Sequence, residues 1–174
     1  MTKSILRKYA KLIVKMGVNI KKGQGAVILA DTAQSEIALM VAEEAYRAGA
    51  KWVDIRWTNQ DLDKMRYKKE SVKVLSATQE WEKARMQYEL DELPVRIWID
   101  SDDPDGLKGV NVEKMQKANL ARMKVRKPYR DAMENKYQWT IVAVPSAKWA
   151  KKVFPNDRTS VAVKKLWDAI LQTV

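Results

Sequence analysis

Apolar positions along this chain fall into two alternating patterns. Four short runs are nearly continuous in apolar residues and bounded by turn or capping residues, as strands buried on both faces are. They are Ala26-Val27-Ile28-Leu29-Ala30, Trp52-Val53-Asp54-Ile55-Arg56-Trp57, Val95-Arg96-Ile97-Trp98-Ile99 and Trp139-Thr140-Ile141-Val142-Ala143-Val144. The second alternates most and is expected nearer an edge of the sheet.

Between the runs the spacing becomes helical. Ile5, Tyr9, Leu12, Ile13 and Met16 form one stripe, with Gly17 as a C-terminal stop. Residues 34–48 place Ile37, Met40, Val41, Glu44, Ala45 and Ala48 on another, ended by Gly49. Ser76 with Gln79 resembles a capping box opening a helix through Trp81, Ala84, Arg85 and Tyr88. Asn111 can cap a helix running to about Arg126, before Pro128, which the spacing keeps out of the interior. Ser146 and Thr159 are expected to cap two more, the last with Val163, Leu166, Trp167 and Ile170 on one face. Strands alternating with helices predict an α/β fold, a mainly parallel sheet with helices on both faces in a Rossmann-like three-layer sandwich. No internal repeat interrupts it, and residues 1–174 read as a single domain.

Composition narrows the chemistry. Of 174 residues, 46% are hydrophobic and 32% charged, the balance of a folded globular chain. No apolar stretch is long enough to span a membrane, and the N-terminus lacks a signal-peptide pattern, so a cytoplasmic location is the expectation. Cysteine and histidine are both absent. That excludes disulfides, thiol nucleophiles, His-based triads and imidazole-ligated zinc. Any metal held by this chain must sit among oxygen ligands.

The ends of the apolar runs hold the remaining candidates, because open α/β sheets bind ligands beyond the carboxyl ends of their strands. Asp31 and Thr32 can cap the helix that follows or frame an anion. Asp100, Asp102 and Asp103 lie in Asp100-Ser101-Asp102-Asp103-Pro104-Asp105-Gly106, an Asp-x-Asp that resembles the nucleophile motif of haloacid-dehalogenase-type phosphatases. Pro-Asp-Gly is equally a turn signal. Gly23-Gln24-Gly25 precedes its strand, so it reads as a turn and not as a dinucleotide fingerprint. The net charge of +11 raises the question of a polyanionic partner. Its densest cluster, Arg122, Lys124, Arg126, Lys127 and Arg130, reads first as a solvated helix face. The seven Trp residues read mainly as core, with Trp149 beside Lys148, Lys151 and Lys152 leaving base stacking open.

A resemblance ties these pieces together. Lys8-Tyr9-Ala10-Lys11-Leu12-Ile13-Val14, Gly17-Val18-Asn19-Ile20-Lys21-Lys22-Gly23-Gln24 and Val41-Ala42-Glu43-Glu44-Ala45-Tyr46-Arg47-Ala48-Gly49-Ala50-Lys51 stand in the first part. Trp139-Thr140-Ile141-Val142 with Pro145, Trp149-Ala150-Lys151-Lys152-Val153-Phe154-Pro155 and Lys165-Leu166-Trp167-Asp168-Ala169-Ile170 follow in order. Together they resemble the N-terminal half of the aminopeptidase T and aminopeptidase S group, the thermophilic metalloproteases.

The resemblance implies a longer protein: this α/β domain, a C-terminal catalytic domain, two divalent metal ions of the zinc, cobalt or manganese type, peptide substrates and a homodimer. The family's Glu, His, Tyr and Asp ligands belong to the C-terminal half, and none maps here. On this reading the chain is a truncated portion with no catalytic or metal-binding residue of its own and no activity alone. The competing expectations are a stand-alone basic nucleic-acid-binding module and a magnesium phosphatase using Asp100 and Asp102.

Overall fold

The computed structural model describes residues 1–173. It contains four parallel strands in the order β2-β1-β3-β4: β1 (Gly25–Asp31), β2 (Trp52–Thr58), β3 (Val95–Asp100) and β4 (Trp139–Ala143). This is the expected α/β class, an all-parallel sheet with helices. β2 lies at one edge, as its alternation predicts, and β4 at the other.

The chain forms two compact units. The first comprises Met1–Thr58, Val95–Pro104 and the chain from Gln138 onward. It holds the sheet, with α1 (Lys3–Leu12), α2 (Ser35–Arg47), α7 (Ala147–Val153) and α8 (Thr159–Leu171). Its core joins Ala26, Ile28 and Ala30 of β1 and Val95, Ile97 and Ile99 of β3 to Tyr9, Ile13, Val41 and Trp167 from the helices. β1 is buried along nearly its whole length, which is why its sequence is apolar without alternation.

The second unit comprises Asn59–Pro94 and Asp105–Tyr137 and is helical. It consists of α3 (Gln60–Lys69), α4 (Val72–Ser76), α5 (Glu80–Glu92) and α6 (Val112–Met133), with α4 and α5 packed on α6. Ala118, at 1% exposure, gives α6 a small side chain at a fully buried position.

Several expectations about helices are corrected here. The N-terminal helix is regular only to Leu12, and Ile13–Gly17 forms a π-turn. The wider turn shifts the phase of the stripe, so Ile13 and Val14 point inward and Met16 is left 75% exposed. α6 continues through Pro128 to Met133. Both Pro128 and Lys124 lie at exposed positions, so the carbonyl deprived of its partner faces water, and buried Met133 anchors the last turn. The α5 cap is Gln79 with Glu82, whose carboxylate accepts the Gln79 N–H at 2.9 Å, while Ser76 closes α4. At α8 the capping position is Arg158, with Thr159 as the first helical residue.

α3 has too few regular apolar positions for a periodicity signal. Its ends carry the signature instead: Asn59 accepts the Leu62 N–H at 2.9 Å, Asp61 and Asp63 occupy the first turn, and Lys68 and Lys69 the last.

Candidate functional site

In a parallel sheet all the carboxyl ends lie along one side, and the crevice forms where the strand order reverses. Here the chain moves from β1 outward to β2, then returns past β1 to β3, so the reversal lies between β1 and β3. Ala30 pairs with Ile99, and the next residues along the two strands are Asp31 and Asp100. The fold thus brings together two of the strand-end candidates.

Their local bonds are those of caps and turns. Asp31 accepts the Ala33 N–H at 2.8 Å and opens the short 3-10 turn Thr32–Gln34 before α2. Thr32 is exposed beside it. Asp100 accepts the Val144 N–H through its backbone carbonyl at 2.8 Å, and its side chain lies 3.4 Å from the Asp102 N–H. Asp102 is exposed, Asp103 partly so, and the Ser101 between them and Asp100 is buried. At the end of β4, Ser146 caps α7 by accepting the Trp149 N–H at 3.2 Å.

A di-metal peptidase centre does not fit these residues. Among the described residues no group of three or more Asp or Glu side chains converges on a point where a cation could sit. The sequence has no imidazole or thiolate to complete a set. The Asp-x-Asp segment therefore offers at most a pair of carboxylates at a turn, and the phosphatase reading has no support.

The basic cluster is also largely engaged within its own unit. Arg122 donates to Glu82 at 2.5 Å and to the Ala77 carbonyl at 2.8 Å. Arg126 lies 3.8 Å from the same carboxylate. Lys127 pairs with Asp131, and Arg130 approaches Asp131 at 3.4 Å. Lys124 is exposed. Burial raises the Glu82 carboxyl, but the Gln79 N–H and the Arg122 guanidinium outweigh it, holding the group below its ordinary value. Burial lowers Arg126, helped by the neighbouring Arg122 charge. A nucleic-acid face needs cations free to meet phosphates, whereas α6 spends most of these on carboxylates of the protein itself.

Two surfaces went unseen in the sequence. Lys3, Arg7, Lys8 and Lys11 of α1 line a shallow basic depression with Glu44 and Arg47 of α2. Arg47 there is paired with Glu43 and Glu44. A groove of about 530 Å³ runs between Tyr9, Leu12, Met16, Ile141, Ile170 and Thr173. Membership of the groove depends on the π-turn and on β4 being an edge, neither of which a linear pattern displays. The reading of the Trp residues as mainly core is corrected as well, since Trp57, Trp81 and Trp139 are exposed.

Comparison with known proteins places the chain in a family and shows how much of its relatives it spans. The family model of the thermophilic metalloproteases (M29) matches residues 2–174. Aminopeptidase PepS of Streptococcus thermophilus is 34% identical over 98% of this chain, which corresponds to 42% of PepS. Aminopeptidase T of Thermus thermophilus is 32% identical over 96% of the chain and 41% of its own length. The solved structure of wild-type AmpT from Thermus thermophilus superposes with a TM-score of 0.84 at 30% identity, covering 98% of this chain and 43% of that one. The chain thus spans about two-fifths of the length of the relatives it matches. It belongs to the thermophilic metalloprotease (M29) family.

Proposed function

We propose that this chain is the N-terminal α/β domain of a metal-dependent aminopeptidase, shaping and supporting a catalytic centre carried by another part of the protein. The observation behind this reading is the near-complete match of this chain to only two-fifths of AmpT and PepS. Residues 1–174 act as one domain in that enzyme, working in the cytoplasm as part of a homodimer. The substrates are peptides, from which the enzyme removes N-terminal residues. Two bound divalent ions of the zinc, cobalt or manganese type would polarise the scissile carbonyl and make a water nucleophilic at neutral pH. This chain supplies none of their ligands. Its contribution is the sheet and the helical unit that position the catalytic part.

The test is a fusion in which residues 1–173 replace the matching part of Streptococcus thermophilus PepS. The fusion is expected to hydrolyse amino-acid p-nitroanilides in a divalent-ion-dependent manner and to lose activity with a chelator. The chain alone is expected to show no turnover with cobalt, zinc or manganese. Metal-stimulated turnover by the chain alone, or a folded fusion without activity beside active PepS, would overturn the reading.

A further inference from the structure

The two edges of the sheet are protected differently. β2 carries Asp54 and Arg56, joined at 2.9 Å, which place charge along its edge. Charged edge strands resist pairing with another chain. β4 has the sequence Trp139-Thr140-Ile141-Val142-Ala143, with no charge, proline or glycine. Its Ile141 is 61% exposed and its Trp139 59%.

The backbone of β4 is open in the same place. The Arg96 N–H bonds to the Gln138 carbonyl and the Val144 N–H to the Asp100 carbonyl, so the even-numbered residues of this segment face β3. By the alternation of a parallel ladder, the N–H and C=O groups of Trp139 and Ile141 point outward. Among the described residues no backbone group pairs with them. Alongside runs the groove of about 530 Å³, with Leu12, Met16 and Ile141 as apolar wall. Bare apolar strand edges of this kind are aggregation sites unless something covers them.

We infer that the outer edge of β4 and this groove receive an extended segment from the remaining part of the same protein, which pairs its backbone with Trp139 and Ile141. This rests on the reading of the chain as one domain of a longer aminopeptidase. Two observations favour that occupant. The α8 helix places Ile170 and Thr173 on the groove wall, so polypeptide leaving α8 emerges at its rim and needs only a short connection to reach β4. A second copy at this particular edge is disfavoured by charge, because it would set two of these domains, each +11, directly against one another, so the homodimer contact is expected elsewhere in the protein.

Hydrogen exchange of the Trp139 and Ile141 amides, resolved residue by residue by mass spectrometry with fragmentation, tests it in the chain alone and in the PepS fusion. Exchange in the fusion is expected to be roughly tenfold slower or more, with β1 and β3 unchanged. Ile141→Lys should restore fast exchange and lower Tm in the fusion while leaving the Tm of the chain alone nearly unchanged. Equal exchange in both proteins, with the fusion active, overturns the docking and leaves the enzyme reading intact. A protected β4 in a folded but inactive fusion does the reverse. Free exchange of the outward-facing Trp139 and Ile141 amides in the chain alone is required whatever the fusion does, while Thr140 and Val142 stay protected by β3 in both. Protection that grows with chain concentration, with a sedimenting dimer abolished by Ile141→Lys, would assign the edge to a second copy and overturn the proposal.

Discussion

Arg122 on α6 holds Glu82 on α5 at 2.5 Å while a second N–H of the same guanidinium reaches the Ala77 carbonyl at 2.8 Å. One planar fork thereby ties the capping residue of α5 to the segment that follows α4. Glu82 is buried at 8% exposure, so removing its partner leaves a desolvated carboxylate. Arg122→Ala is expected to destabilise the protein by about 2 kcal/mol, below the range for fully buried pairs because Arg122 keeps some contact with water. Arg122→Lys should recover only part of that, since an ammonium cannot make both contacts in the same geometry. Urea denaturation of the two variants checks both expectations.

The same pair sets a pH response. The Glu82 carboxyl is held below its ordinary value of 4.5 in the folded protein. Its contribution is therefore complete above the unfolded value and is lost as pH falls through the lower folded value. Glu82→Gln should flatten the acid limb of a stability profile below about pH 4.5. A variant with the acid limb of the parent would show that other carboxylates carry that response.

Gly25, the first residue of β1, lies directly beside Trp52 on β2. A Cβ at this position would stand 2.2 Å from the indole ring, closer than any rotamer change at Gly25 could relieve. Gly25→Ala is expected to force the indole aside and cost about 1–3 kcal/mol, the usual penalty of overpacking. Thermal melting gives the loss, and a shift in tryptophan emission would report the displaced ring.

Tyr9 ties α1 to the end of β4. Its ring meets Trp167 edge-on at 5.8 Å, and its hydroxyl donates to the Ala143 carbonyl at 3.1 Å. Tyr9→Phe keeps the ring contact and loses about 1 kcal/mol with the hydrogen bond. Burial raises the phenol above its ordinary value of 10.0, so the folded state resists ionisation. The corresponding stability is complete below the unfolded value and disappears as pH rises through the folded one. Tyr9→Phe should therefore make the alkaline loss of stability shallower, as followed by circular dichroism above pH 10.0.

Pro128 is the one residue of α6 that its own helix opposes. Pro128→Ala restores a backbone donor at an exposed position and is expected to stabilise the protein by about 1–3 kcal/mol, less whatever the freer unfolded chain takes back. An unchanged denaturation midpoint would mean that the helix around residue 128 accommodates the ring without strain.

The class of the fold was legible because its signals are local and redundant. An apolar run such as Ala26–Ala30 can be stable only where both faces are covered, and Ile37, Val41 and Ala45 recur at a spacing only a helix satisfies. The absence of His and Cys likewise limited the chemistry before any folding was considered. The family resemblance was also readable, since it lies in the order and spacing of short segments along the chain. What remained hidden depended on partners distant in sequence. Arg122 read as a solvated cation because nothing nearby in the chain announces Glu82, forty residues earlier, as its buried partner. Asp31 and Asp100 became neighbours through strand order, which no single strand encodes. Met16 turned outward because one π-turn changed the phase of its stripe, and Trp139 and Ile141 became a bare edge because no described strand lies beyond β4. Local pattern determined which residues form strands and helices; only tertiary pairing decided which side chains were covered, because burial is a property of the neighbours that arrive.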